Sequence, residues 1–389
     1  METKTLLMKN NNFQSLFKNN DYIAFVLCYL VILIQSLLFT SFSTFFPQNA
    51  TLLSKLVNLL IICYVIYGII IQITARKLIY IAVILLIVLL TFWKLRIFSP
   101  YIKLLLLSIA VPSTIPSGRK IVKIFALALI TTMVTTIVLT LLGYLPQSGA
   151  TSKSIFSNYQ ETVYFFGFSH PNAFGTFLSM IFASSMFLFF KRHKWIMIMV
   201  ATVVFVTNVT IGAGTAAVSV LLVFIISIMP VKSYKFAYLL PPFLATFALW
   251  LSYYNTSAFG MIINEKIASR PNVWNAYTSQ YPTKLISDPI QVNTDGYSGI
   301  LGNGVLDGSY IYVLIFWGIV ALIFYIITFI VLIKFSIDTK NKVLFAISVM
   351  IIVSAFPESH MIMFYENIFL LFVGFYQFPM DERKKYLQS

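Results

Sequence analysis

Apolar residues fill this chain in long runs, with charges and turn residues between them. Cut at those interruptions, the runs predict twelve membrane spans, near 22–46, 52–74, 78–93, 97–115, 121–145, 163–190, 195–210, 212–229, 236–256, 308–335, 343–357 and 361–379. A helix that crosses a bilayer takes about 20 apolar residues. Two runs fall short of that. Trp195–Val209 and Thr215–Met229 hold 15 residues each, and as helices each covers only about 22 Å of a roughly 30 Å core. Between them lies Thr210-Ile211-Gly212-Ala213-Gly214-Thr215. Irregular backbone at that depth is tolerated where it is buried in protein or lines a wet cavity. The expectation is a polar cavity open to the outer side, with local bilayer thinning as the alternative.

One connection breaks the pattern. Residues 257–307 form a segment of about 50 residues with Gly, Pro, Asn, Asp and Tyr but little apolar periodicity. Long loops in compact proteins are usually functional or disordered. This one carries Trp274 and several tyrosines, and it is expected to fold over the outer mouth of the bundle. No internal repeat of the kind found in many transporters is visible. The whole chain, 1–389, therefore reads as a single all-α transmembrane domain with 257–307 as its large extracytoplasmic loop.

Composition agrees with the pattern. Hydrophobic residues make up 59% of the 389 and charged residues 10%, with a mean hydropathy of +0.88. A soluble domain holds about 25% charge, so a cytosolic enzyme or a disordered tail is excluded. The net charge of +15 would point to nucleic acid in a soluble protein, but the positive-inside rule accounts for most of it here. With both termini cytoplasmic, nineteen of the 27 Lys and Arg fall on the inner side. Lys94, Arg96 and Lys103 fit this topology poorly. The apolar run after Lys4, Lys9 and Lys18 has no small-residue cleavage site and reads as a first span. Cys28 and Cys63 both sit in apolar runs, so no disulfide framework is expected. With only three histidines and no clustered cysteines, no metal site is expected.

The polar residues set against this background are the candidates for chemistry. His170 lies in Gly167-Phe168-Ser169-His170-Pro171-Asn172, about seven residues into the predicted sixth span. Pro171 cannot donate to a helix ladder, so a kink is expected beside His170 and Asn172. Ionisable residues in spans are functional by default; the alternative is a histidine that satisfies backbone groups freed by the proline. Arg270 stands in Lys266-Ile267-Ala268-Ser269-Arg270-Pro271-Asn272-Val273-Trp274. Its planar fork suits phosphate oxygens, with Lys266 and Trp274 nearby; the alternative is an arginine anchored at lipid headgroups. Gly299 to Tyr310 is not a nucleotide-binding loop, since no Lys-Ser/Thr follows its glycines, and Asn293-Thr294-Asp295 is not a calcium loop, since Tyr297 holds the next ligand position. Its glycines deliver Asp307 to the start of a helix, where a simple N-cap is the competing role. Glu358, in Pro357-Glu358-Ser359-His360, lies at an outer junction, and Glu366 lies deeper, within reach of a pairing with Lys103.

Taken together, these residues resemble the Wzy-type polysaccharide polymerases of the O-antigen polymerase and ligase superfamily. The resemblance rests on Gly-Phe-Ser-His-Pro-Asn, Arg270, Gly-Asn-Gly-Val-Leu-Asp-x-Ser-Tyr and Glu358, in that order, with one large outer loop late in the chain. It implies a GT-C-like fold in the bacterial cytoplasmic membrane. It also implies metal-independent, cofactor-free glycosyl transfer from a polyprenyl-diphosphate-linked oligosaccharide within membrane lipid. Asp307 would be the first base, with His170 and Glu358 as alternatives. Arg270 and Lys266 would meet the leaving diphosphate, Asn172 would bind substrate, and Trp274, Tyr297 and Tyr310 would stack on sugar faces, with anchoring at the membrane interface as the alternative. A flippase and a chain-length regulator are the implied partners, and nucleic acid is not. Two positions depart from the family pattern. Gly212-Ala213-Gly214-Thr215 stands where relatives commonly carry Ser-Arg, and Asp307 stands where the ligase branch usually has His. The competing readings are a ligase that transfers finished glycan and a transporter or flippase.

The loop assignment has a direct test. Cysteines placed at Ser279 and Asn293 should react with an impermeant thiol reagent on intact cells; reaction only after permeabilisation would invert the topology.

Overall fold

A computed structural model of the chain describes residues 20–71, 73–95, 100–151, 161–230, 234–288, 290 and 306–388. Each of the twelve predicted runs contains a helical element. They begin with α1 (Asn20–Leu38), α2 (Pro47–Ile70), α3 (Ala75–Leu95), α4 (Pro100–Thr114) and α5 (Gly118–Leu141). Then come α6 (Pro171–Phe189), α7 (Lys194–Thr210), α8 (Gly214–Ile228) and α9 (Leu240–Tyr253). Two helices follow inside the segment expected to be loop, α10 (Ala258–Lys266) and α11 (Arg270–Gln280). The chain continues as α12 (Ser309–Trp317), α13 (Ile319–Asp338) and α14 (Lys342–Ser354), two 3₁₀ stretches at His360–Ile362 and Ile368–Gln377, and a terminal α15 (Met380–Gln388).

Among the described residues, five helices are long and apolar enough to cross a membrane: α2, α5, α6, Lys235–Tyr253 and α13. Six further apolar helices are shorter. The chain is an all-α membrane protein, and its exposure pattern has the matching sense. Leu52, Leu59, Val134, Leu141 and Ile323 on the long helices point their side chains outward, each at least 50% exposed. In water so much exposed apolar surface would be a liability; facing lipid tails it costs nothing. The shorter elements α14 and Ile368–Gln377 are buried on nearly every side. They form the middle of the bundle, packed against α8, α13 and α4. Close approach is built in: a Cβ on Gly374 would lie 1.8 Å from the Ser108 carbonyl oxygen of α4.

Two predicted spans and one predicted pairing differ in the structure. The sixth span does not start at 163 and contains no kink. Ser148–Thr151 and Glu161–Tyr164 pair as an antiparallel two-stranded ribbon, β1 and β2, and α6 begins only at Pro171. Proline is well suited to the first helical turn, where its missing N–H has no partner to lose. The residue before it is held extended, and His170 has φ −160°, ψ 154°. The predicted tenth span, 308–335, is two helices broken at Gly318, which has φ +93°. The chain at 284–287 occupies the break: Ile319 N donates to Lys284 O at 2.9 Å and Val320 N to Leu285 O at 3.2 Å. A Cβ at Gly318 would meet the Leu285 carbonyl oxygen at 2.5 Å. Finally, Lys103 does not reach for Glu366. Its Nζ donates to Gln35 Oε1 of α1 at 3.1 Å. Of the two other charges that fitted the topology poorly, Arg96 lies outside the described residues.

Candidate active site

The local backbone explains how the charged residues come together. After α10 the chain turns through Ala268 (φ 57°) and Ser269 (φ 61°), two consecutive left-handed residues that are not glycine. Such backbone is uncommon and clusters at functional positions. The turn puts Arg270 at the first position of α11, followed at once by Pro271. Gly308, at φ +91°, caps α12 and turns the chain so that Asp307 sits outside that helix. The N-cap role for Asp307 is therefore wrong: Gly308 is the cap, and the Asp307 side chain points to Arg270. The segment after α14 is stitched to the same place by Ser309. Its N–H donates to the carbonyls of Ala355 (2.8 Å) and Glu358 (2.9 Å), and its hydroxyl donates to Glu358 O at 2.6 Å.

At the centre of the site one guanidinium serves two carboxylates. Arg270 Nη2 donates to Glu358 Oε1 at 2.9 Å and to Asp307 Oδ2 at 3.3 Å. Each carboxylate has a further partner. The Thr215 hydroxyl donates to Glu358 Oε1 at 2.7 Å, and the Ser359 hydroxyl to Asp307 Oδ1 at 3.2 Å. His360 Nδ1 lies 3.8 Å from Glu358 Oε2, while its Nε2 shares a hydrogen bond with the buried Thr176 hydroxyl at 3.1 Å. The Arg270 and Glu358 side chains are 12% and 4% exposed, whereas Asp307 keeps 30% exposure. Arg270 is not saturated. Its Nε is buried with no partner, and Nη1 makes only a 3.4 Å contact to Ile267 O.

Burial works against the Arg270 charge, but Glu358 and Asp307 outweigh it and hold the guanidinium above its ordinary range. Burial pushes the Asp307 carboxyl up from the usual aspartate value, and the neighbouring Glu358 pushes it the same way; Arg270, His360 and the Ser359 hydroxyl oppose them. A carboxylate raised in this manner is a better proton acceptor at neutral pH than an ordinary aspartate.

The remaining candidates fall into three positions. His170 is the N-cap of α6, with Nδ1 accepting from Asn172 N at 3.2 Å. The residue is exposed overall, yet partial burial of the imidazole lowers its pKa, with Asp307 opposing that shift and Arg270 adding to it. The structure thus sets it within electrostatic reach of the cluster, with Asn172 beside it. Lys266 is exposed in the last turn of α10 and pairs with no carboxylate among the described residues. Trp274 and Tyr310 are corrections. Both are buried, at 0% and 1% exposure. The Trp274 indole N–H donates to the Asp307 carbonyl, and its ring packs on Phe356 with centroids 5.5 Å apart. Tyr310 donates to Ile352 O at 3.2 Å. Neither ring has a face for a sugar; both hold the backbone on which Asp307 and Glu358 stand. Tyr297 lies outside the described residues. Sequence reasoning left Thr215, Ser359 and His360 without roles, although each adjoins a residue or segment already singled out. Thr215, the last residue of the Gly212-Ala213-Gly214-Thr215 segment, brings a neutral hydroxyl donor to Glu358. Among the described residues no group of three His, Cys, Asp or Glu could hold a metal ion.

No family model, curated protein or solved structure matches the chain.

The tightest backbone constraint in the site is Gly308. A Cβ there would fall 2.8 Å from Trp274 Cζ2 and 2.9 Å from Phe356 O. Gly143 has a similar φ of +80° but nothing within 4 Å. Both Ala substitutions carry the left-handed strain, and only Gly308→Ala adds overpacking, about 1–3 kcal/mol. Gly308→Ala should therefore lower the Tm in detergent by several degrees more than Gly143→Ala. Equal losses would mean that Trp274 and Phe356 yield freely and do not fix Asp307.

Proposed function

We propose that the protein is a polysaccharide repeat-unit polymerase of the bacterial cytoplasmic membrane, with a GT-C-like fold, both termini cytoplasmic and the Arg270 cluster at the outer face. The observation that carries this reading is one unsaturated guanidinium shared by two carboxylates among apolar helices. Transfer of a glycan from polyprenyl diphosphate asks for those groups. A sugar hydroxyl of one lipid-linked repeat unit attacks the anomeric carbon of a growing lipid-linked chain. The new carbon–oxygen bond forms, the bond to the diphosphate oxygen breaks, and polyprenyl diphosphate leaves with the bonding electrons. The hydroxyl proton passes to a carboxylate. The donor already carries its leaving group, so no nucleotide takes part at the outer face.

The roles follow from exposure and partners. Asp307 is the more exposed carboxylate and is the first base; Glu358, gripped by Arg270 and Thr215, orients the guanidinium. An incoming diphosphate competes with Asp307 for Arg270, whose unused donors offer it further hydrogen bonds. Its arrival therefore loosens Asp307 at the moment a base is needed. Preorganised positive charge beside a leaving anion is among the larger contributions to catalysis. Lys266 and His170, both exposed near the cluster, contact the diphosphate and the acceptor sugar respectively. A flippase supplies the lipid-linked units, and a chain-length regulator sets how far the polymer grows.

Asp307→Asn keeps the shape and removes the proton acceptor. In a purified assay with lipid-linked repeat units the rate should fall about 100- to 10,000-fold, with expression unchanged. Arg270→Lys keeps the charge, loses the fork, and should shorten or abolish the polymer ladder. Near-normal polymer from Asp307→Asn would move the base to His170 or Glu358. A full ladder from Arg270→Lys would remove the guanidinium fork from the mechanism.

A further inference from the structure

Beside the cluster lies a second carboxyl group that the proposed reaction does not use. Glu366 is 1% exposed and Asn367 is 0% exposed. Both carboxylate oxygens of Glu366 and the Asn367 Oδ1 are buried without a hydrogen-bond partner. The Asn367 amide is already oriented, because its Nδ2 donates to Met361 O at 2.9 Å. What remains is three acceptor oxygens on adjacent residues with no donor to meet them. A buried carboxylate in that condition costs several kcal/mol unless it takes up a proton or something positive compensates it.

No ion pair among the described residues supplies that charge. Among the described residues no Lys or Arg pairs with Glu366, and Lys103 of α4 donates to Gln35. The charged group that acts on Glu366 is Glu358, which repels it. The Tyr365 hydroxyl is turned to the Met363 sulfur. Among the described residues, the carboxyl groups of Glu358, Asp307 and Glu366 share the one guanidinium of Arg270, which pairs with the first two and leaves Glu366 unpaired. The backbone here is also unwound. The chain leaves a 3₁₀ turn at Ile362, runs irregularly through Met363–Asn367 and re-enters 3₁₀ helix at Ile368. Interrupted helices inside membrane bundles are where small cations are commonly held, by carboxylate, amide and freed carbonyl oxygens.

We propose that Glu366 and Asn367 form a binding site for an alkali cation. An ion of that class needs several oxygen ligands and no nitrogen or sulfur, which is the chemistry present. A bound cation satisfies the three orphan oxygens and offsets the negative excess beside Glu358. The site is thereby linked by charge to the Arg270 cluster without touching it.

The test uses the purified full chain in detergent at pH 8, with Na+ or K+ exchanged for choline at constant ionic strength. Wild type should show a saturable rise in Tm of about 2 °C or more with at least one alkali cation. Glu366→Gln, which removes the charge and keeps the shape, should abolish that dependence. A Tm indifferent to every alkali cation would mean that Glu366 carries a proton instead, and would overturn the proposal. So would an unchanged dependence in Glu366→Gln. If that variant does not fold, equilibrium binding of radioactive Na+ to wild type, competed by K+, decides: about one site per chain supports the proposal, and no saturable binding of either ion defeats it.

Discussion

Arg270 held between Glu358 and Asp307 is the interaction on which the rest of the site depends. Charges removed from water are costly, and their mutual attraction repays the cost only when geometry and further hydrogen bonds are good. The fold meets that demand from several separate segments. Two left-handed residues place the guanidinium, Gly308 and Trp274 place one carboxylate, and Ser309 and Thr215 place the other. These supports come from three separate stretches of sequence, at Thr215, at 268–274 and at Gly308-Ser309. The cluster forms only when the segment after α9, the segment before α12 and the turn after α14 are all docked.

The bundle makes that docking feasible by keeping its central elements short. The 13-residue α14 and the 3₁₀ stretch Ile368–Gln377 do not run the full depth of a bilayer, since their rise spans only about 20 Å each. The turn between them, which carries Glu358, Ser359 and His360, is consequently enclosed by longer helices. The α7–α8 pair is short for a related reason. Its break at Gly212–Ala213 brings Thr215 to the first turn of α8, where its hydroxyl meets Glu358. The Gly-rich break noted in the sequence therefore delivers a polar ligand to the site.

Most of the helices were legible because one variable, the length of apolar runs, decides them in a membrane protein. Misreadings arose where a local residue outweighed that variable. Pro171 started a helix that hydropathy had begun eight residues earlier, and Gly318 divided a run of unbroken hydrophobicity. The β1–β2 ribbon and the helices α10 and α11 lie where the apolar signal is weak. In the site, Arg270, Asp307 and Glu358 stood out because charge is rare in this chain, and the structure brings them together. Thr215, Ser359 and Ser309 carried no such signal, because a hydroxyl acquires a role only through the partner that tertiary structure supplies. Trp274 and Tyr310 misled in the opposite direction. An aromatic residue close to a polar site suits a sugar or a packed core equally well, and burial decides between them.

The central claim is that Arg270 and the carboxylates form one coupled unit, and a double-substitution cycle measures it. Arg270→Ala alone strands two neighbouring carboxylates, a loss of about 3–5 kcal/mol for a buried pair. Glu358→Gln in the same chain removes one stranded charge and keeps the shape. Thermal melting of the four proteins in detergent should show the double variant several degrees more stable than Arg270→Ala. A double variant that melts lower, with the two losses simply adding, would show that the residues act independently and would contradict the account.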